Sequence, residues 1–188
     1  YKVASPEITD VNFLEKIAKT KKPIILSTGL ATIKDLDLAV NTIKKYNRNY
    51  AILKCTSAYP APSKDLDLNS INFLKDRYKV SVGFSDHTIG KDAAKISVVL
   101  GATIIEKHFK LNNDNSSIDS HFSMSLSDLK LFKIQLNDIK NYLGSYKLRI
   151  SKSSKKNLNG RRSLYVALDI KKGEKFSFKN IKSVRPSY

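Results

Sequence analysis

The sequence predicts an α/β fold built on a parallel sheet, and three observations carry that prediction. One unit recurs five times: an apolar run ends in small polar residues, and an amphipathic helix follows. The runs are continuous and rich in β-branched residues rather than alternating, as expected of parallel strands covered on both faces. Their ends fall near Ser5, Ser27, Ser57, Ser85 and His108, at steps of 22, 30, 28 and 23 residues. Each step can hold one helix and two loops, as a parallel crossover requires. Five units suffice for a doubly wound sheet, whereas a (βα)8 barrel needs three more.

The elements follow in order. "KVAS" (2–5) leads to "DVNFLEKIAKT", where Asp10 is a candidate N-cap and Phe13, Leu14 and Ile17 share a face. "PIILSTG" (23–29) leads to "TIKDLDLAVNTIKKY". There Ile33, Leu36, Val40 and Ile43 form a stripe, and Thr32 with Asp35 has the spacing of a capping box. "AILKCTS" (51–57) leads through "AYPAPSKD" to a helix around Ile71, Phe73 and Leu74. "VSVGFSD" (80–86) leads to "KDAAKISVVLG". "ATIIEKHF" (102–109) leads through a polar loop, 112–124, to "SDLKLFKIQLNDIKNYLG", with Gly144 as C-cap. Residues 145–160 read as a polar, basic linker. "RRSLYVALDIKKGEKFSFKNIKSVRPSY" then alternates apolar and polar residues around a "KKGE" turn, as β structure in a second small module does.

The 188 residues carry a formal charge of +17. Only six of the 34 basic residues are Arg, the usual base-reading residue, and the lysines spread along polar helix faces. A solvated lysine surface that attracts anionic substrates is favoured over a nucleic-acid interface. No apolar run approaches the roughly 20 residues of a membrane span, and no signal peptide is visible. Cys55 is the single cysteine, so no intramolecular disulfide forms, which fits a cytoplasmic protein; its apolar run suggests a buried thiol. The chain opens at Tyr1 in what reads as the end of a strand, so a piece of a longer protein is expected.

In either parallel architecture ligands bind at the C-terminal ends of the strands. Lys2, Ser5, Ser27, Ser57, Tyr59, Ser85, Asp86, His87, Glu106, Lys107 and His108 fall there. His87 and His108 lie at the ends of adjacent predicted strands, about 4.8 Å apart. Imidazoles so placed can share one ion, with oxygen ligands completing the shell of Mn²⁺, Zn²⁺ or Fe²⁺. Lys2 and Lys107 are cations able to hold a phosphate. His121 reads as a plain loop residue.

The segments "KVASPEITD", "ILSTGLAT", "LKCTSAYPAP", "VGFSDHTIG", "LGATIIEKHF" and "RRSLYVALDIKKGE" occur in this order. Together they resemble the N-acetylneuraminate (sialic acid) synthase family, which includes the legionaminic and pseudaminic acid synthases. The resemblance spans nearly the whole chain and implies about strands four to eight of a (βα)8 TIM barrel over 1–144. After the 145–160 linker it implies the first part of a small β-rich antifreeze-like (SAF) domain over 161–188. It further implies a metal-dependent transferase that condenses phosphoenolpyruvate (PEP) with an N-acylated hexosamine to a nine-carbon 2-keto sugar acid, releasing phosphate.

Residue by residue, His87 and His108 resemble metal ligands, for Mn²⁺ first, with Mg²⁺ or Co²⁺ as alternatives. Lys2, Ser5, Ser27, Ser57, Tyr59 and Ser85 resemble PEP contacts, although position 57 is often Asn in the family. Glu106 resembles the residue that orients or deprotonates the attacking water, and Asp119 one that binds the amino sugar. Arg162, with Arg161 as the competing register, resembles an arginine that reaches a partner's site in a domain-swapped homodimer. The barrel strands missing from this chain supply further contacts, so the isolated chain is expected to be inactive. The alternatives are another PEP-condensing sugar-acid synthase, a basic module for anionic polymers, or an inactive truncated remnant.

Overall fold

A computed structural model describes residues 1–111 and 114–187 of the chain. They divide into two compact units, Tyr1–Gly144 and a second from Ser145 onward. The first unit runs β1 (Lys2–Val3), α1 (Val11–Lys19), β2 (Ile24–Ser27), α2 (Ile33–Lys44), β3 (Tyr50–Cys55) and α3 (Ser70–Tyr78). It continues with β4 (Val82–Asp86), α4 (Asp92–Val99), β5 (Ile105–Lys107), β6 (Phe109–Lys110), β7 (Met124–Ser125) and α5 (Leu126–Leu143).

The first five strands form one parallel sheet in the order β1-β2-β3-β4-β5. A doubly wound sheet reverses its strand order at a switch point. Here the order never reverses, so right-handed crossovers stack successive helices on one face. The sheet is a parallel half-barrel, which decides between the two architectures that strand spacing leaves open.

Strand alternation gives the two faces different chemistry. On the helix side Val3, Ile24, Leu26, Ile52, Val82 and Phe84 pack against Leu14, Ile17, Leu36, Val40, Ile43, Ile71 and Leu74 in one core. Phe84 is fully buried there, and truncating such a ring costs on the order of 3–5 kcal/mol. The register places Lys2, Ile25, Ser27, Leu53, Cys55, Gly83, Ser85 and Glu106 on the opposite, barrel-interior face. A Cβ at Gly83 would lie 2.4 Å from the Ile104 carbonyl oxygen and 2.5 Å from Leu53 Cδ2. Only glycine lets the chain entering β5 approach β4 this closely.

The helix ends follow the sequence signals. Asp10 accepts from the Phe13 N–H at 2.9 Å. Thr32 and Asp35 form the full capping box of α2. Gly144 ends α5 with φ of 56°. One apolar position differs from expectation. Ile33, in the first turn of α2, is exposed while Leu36, Val40 and Ile43 are buried. On α3 the buried stripe is Ile71, Leu74 and Tyr78, and Phe73 lies off it, exposed.

The polar loop expected over 112–124 carries more structure than a plain loop, with residues 112 and 113 outside the described residues. A 3₁₀ turn spans Ile118–His121, and β7 pairs in parallel with β6. In the second unit the expected linker includes a short helix, α6 (Lys152–Lys155), capped by Ser151. β8 (Ser163–Val166) and β9 (Ile181–Val184) then pair antiparallel, from Ser163↔Val184 to Val166↔Ile181. Among the described residues no helix is long and apolar enough to cross a membrane.

Candidate functional site

The C-terminal ends of β1 to β5 gather the candidate residues on the barrel-interior side. Lys2 Nζ donates to Ser27 Oγ at 2.9 Å and lies 3.4 Å from Glu106 Oε1. Ser85 Oγ donates to the same Glu106 oxygen at 2.7 Å. Lys2, Ser27, Ser85 and Glu106 thus form a chain of contacts from β1 to β5 across the sheet face. The Lys2 and Glu106 side chains remain 35% and 40% exposed, so the row is open to a solute.

Beside it the turn after β2 brings Gly29 against Ser5, Cys55 and Ser57. The Gly29 N–H donates to Ser5 Oγ at 2.9 Å. A Cβ on Gly29 would sit 2.2 Å from Ser57 Oγ, 2.9 Å from Ser5 Oγ and 3.0 Å from Cys55 Sγ. Ser57 Oγ is buried and has no hydrogen-bond partner. A buried hydroxyl left unpaired costs free energy until something bonds to it, so this cradle lacks one polar partner.

The rim of the site is aromatic. The His87 and His108 ring centroids lie 5.3 Å apart, and Tyr59 stands over both, at 4.2 Å and 5.9 Å. Phe122 closes the cluster, 5.0 Å from His108 and 5.8 Å from Tyr59. His87 Nδ1 lies 2.9 Å from the Thr56 carbonyl oxygen. A carbonyl only accepts, so the proton sits on Nδ1 and Nε2 keeps its lone pair. Asp119 Oδ2 lies 3.5 Å from His108 Nδ1, which brings Asp119 alongside that imidazole.

Burial pulls His87 down, but Cys55 Sγ, 3.9 Å from Nδ1, and the Thr56 carbonyl outweigh it and leave the imidazole above its ordinary value. Burial also pushes the Cys55 thiol up, and its bonds to His87, Ser5 and Ser85 reverse that to a net lowering. His108 is held below its ordinary value by burial and by the charge of His87, against Asp119 and Glu106. Burial, reinforced by charge at Cys55, Asp119 and Glu106, raises the Tyr59 phenol, which stays protonated as a donor.

The donor set fits half of a metal centre. Two imidazoles, that of His87 held by the Thr56 carbonyl, suit Zn²⁺ or Fe²⁺, and Mn²⁺ where oxygens complete the shell. Among the described residues no group of three His, Cys, Asp or Glu converges as a ligand set. The remaining positions therefore call for oxygens from outside this cluster.

One expected site residue is corrected. Lys107 is not free to hold a phosphate: its side chain is 4% exposed and its ammonium is paired with Asp86 at 2.8 Å. That register pair points to the helix side of the sheet, opposite Glu106. His121 is an exposed turn residue whose Nδ1 meets the Ile118 carbonyl. Arg162 lies in the second unit, where its guanidinium donates to the Ser183 carbonyl at 2.6 Å. Cys55 is free and buried. Sequence reasoning missed the Thr56 carbonyl, Gly29 and Phe122. A backbone acceptor leaves no trace in side-chain types, but Gly29 directly after the strand-end pair Ser27 and Thr28 was a readable sign of close approach.

Residues 1–147 match the model of the NeuB family. The chain is 45% identical over 189 residues to a pseudaminic acid synthase of Campylobacter jejuni, covering 100% of this chain and 55% of that protein. It is 41% identical over 191 residues to an N,N'-diacetyllegionaminic acid synthase of the same species, covering 100% and 57%. The fold is similar to a crystal structure of an N-acetylneuraminic acid synthetase from Leptospira borgpetersenii in complex with citrate. That match has a TM-score of 0.76 and 32% identity, over 84% of this chain and 55% of that one. The chain thus spans little more than half the length of these relatives.

Proposed function

This chain belongs to the NeuB family, and on that premise we propose that it carries part of the active site of a PEP-condensing sugar-acid synthase. The reaction joins PEP to an N-acylated hexosamine, N-acetylmannosamine or a related amino sugar. C3 of PEP forms the new bond to the aldehyde carbon, whose oxygen takes up a proton. Water adds at C2 and loses a proton, the C2–O bond to phosphate breaks, and a 2-keto sugar acid and inorganic phosphate leave.

The residues divide these tasks. Lys2 supplies a cation, and Ser5, Ser27, Ser57 and Ser85 supply hydroxyls, the set a phosphate and a carboxylate require. Tyr59 covers them and donates its phenol. Glu106, already hydrogen-bonded to Ser85, orients and deprotonates the water. Asp119 binds the amino sugar beside His108. His87 and His108 would hold the divalent ion, Mn²⁺ in preference to Mg²⁺ or Co²⁺, through nitrogens not already engaged. When bound, the ion supplies Lewis-acid polarisation of the aldehyde oxygen. After the 145–160 linker we read residues 161–188 as the beginning of a SAF-type module, with Arg162 directed at the site of a partner subunit in a domain-swapped homodimer.

The observation that carries this reading is the unpaired Ser57 hydroxyl in the Gly29 cradle, at the same strand ends as the Lys2–Ser27 bond and two imidazoles 5.3 Å apart. The test is phosphate release from PEP with a panel of N-acylated hexosamines, using the natural reading frame that carries this chain. Release is expected to need both sugar and metal, to stop with EDTA, to return with Mn²⁺, and to vanish in His87→Ala. Metal- and sugar-independent release, or none from a folded protein, would refute the reading.

A further inference from the structure

We propose that the buried Asp86–Lys107 pair is a positioning device that sets the spacing of His87 and His108; the inference rests on the metal-binding reading of those histidines. Asp86 and Lys107 are register partners across β4 and β5, and each immediately precedes one of the two histidines. Their side chains lie on the helix side of the sheet and are 0% and 4% exposed. Both Asp86 carboxylate oxygens are engaged: Oδ2 takes the Lys107 ammonium at 2.8 Å, and Oδ1 takes the Thr88 N–H at 2.8 Å and the Thr88 hydroxyl at 2.7 Å. The same ammonium donates to the Thr88 carbonyl at 2.8 Å. Lys107 therefore grips both neighbours of His87 while its own next residue is His108. The network locks the turn bearing one imidazole to the strand bearing the other.

Fold stability alone does not account for this arrangement. A buried ion pair is often matched or bettered by apolar residues of similar volume. Apolar side chains cannot hold the N–H, O–H and carbonyl of Thr88 together, and that hold is what orients the residue between Asp86 and Thr88. Partners behind a metal ligand commonly tune affinity through such orientation.

The test uses Mn²⁺ alone as probe, on the natural reading frame that carries this chain. Mn²⁺ affinity is measured by equilibrium dialysis and melting temperature without metal, for wild type, Asp86→Leu/Lys107→Met, Lys107→Arg and Thr88→Val. The double variant, which also strips the buried Thr88 N–H, hydroxyl and carbonyl of these partners, is expected to melt below wild type and, where folded, to bind Mn²⁺ about 10- to 100-fold more weakly. Lys107→Arg should recover part of the loss. Thr88→Val, which keeps the ion pair, should lose a smaller factor in the same direction, and it decides the matter if the double variant does not fold. Wild-type affinity in a folded double variant, or in Thr88→Val when that is the deciding variant, would overturn the proposal. Absence of Mn²⁺ binding by the wild type would instead sink the metal reading and this inference with it.

Discussion

Ser57 shows how far a single side chain constrains function. Its hydroxyl is buried without a partner, so removing it should not weaken the empty protein. A hydrogen bond to a charged group contributes about 1.5–3 kcal/mol, or roughly 10- to 100-fold in affinity. Ser57→Ala is therefore expected to keep or slightly raise the melting temperature while raising KM for PEP by about that factor. Thermal denaturation beside steady-state kinetics checks it, and a lowered melting temperature with unchanged KM would make Ser57 a structural residue. At this scale the placement of a side chain was legible where residue type and strand-end position coincide, as for His87, His108, Lys2 and Glu106, which the fold brings to one end of the sheet. It was not legible where orientation decides: Lys107 is a strand-end cation like Lys2, yet pleat alternation turns it to the helix side and into the Asp86 pair. The partner of His87 is a backbone carbonyl, which no residue type announces.

Elements were read well where their signals are local. The caps at Asp10 and Thr32 are set by residues within one turn, and such caps contribute about 1 kcal/mol each. Contacts between elements were invisible, and the tether of α2 to α3 is one. Arg77 donates to Asp37 at 3.1 and 2.5 Å, and the Tyr78 hydroxyl donates at 2.8 Å. These bonds, Arg77 first, hold the Asp37 carboxyl below its ordinary value of 3.8. Its folded-state value lies below its unfolded one, so its contribution is complete above pH 3.8 and is lost as pH falls through the folded value. Burial first, and Asp37 second, push the Tyr78 phenol up to about 12. The folded state then keeps that proton longer, and stability declines as pH climbs from 10.0 towards about 12. Melting temperatures of wild type and Asp37→Asn should differ at neutral pH and converge in acid below the carboxylate range. A gap that persists unchanged into strong acid would show that Asp37 acts through shape rather than charge. The pair β6 and β7 had no legible signal, because two-residue strands carry no periodicity.

At the scale of the whole molecule, strand number and spacing left two architectures open, since pairing order is a tertiary fact that strand composition does not encode. The order β1-β2-β3-β4-β5 decides it and also exposes a problem. Within this five-stranded sheet β1 and β5 each have one neighbour, so both outer edges carry main-chain donors and acceptors without a strand beside them. Such edges pair with other chains unless covered. The barrel-interior face carries Ile25 and Leu53 beside the polar row, and in a closed barrel layers of side chains fill that space. On the proposed reading the candidate site has the same incompleteness: two imidazoles stand together, and among the described residues no group of three His, Cys, Asp or Glu could hold a metal ion. A polypeptide limited to these 188 residues is therefore expected to self-associate and to release no phosphate from PEP, even with Mn²⁺ and amino sugar present. Sedimentation velocity and the phosphate assay on that polypeptide measure both expectations. A monodisperse monomer that turns over would mean that the five-stranded half-barrel is self-sufficient. Self-association without turnover, alongside activity in the natural reading frame, would assign the missing ligands and the covered edges to the rest of the barrel.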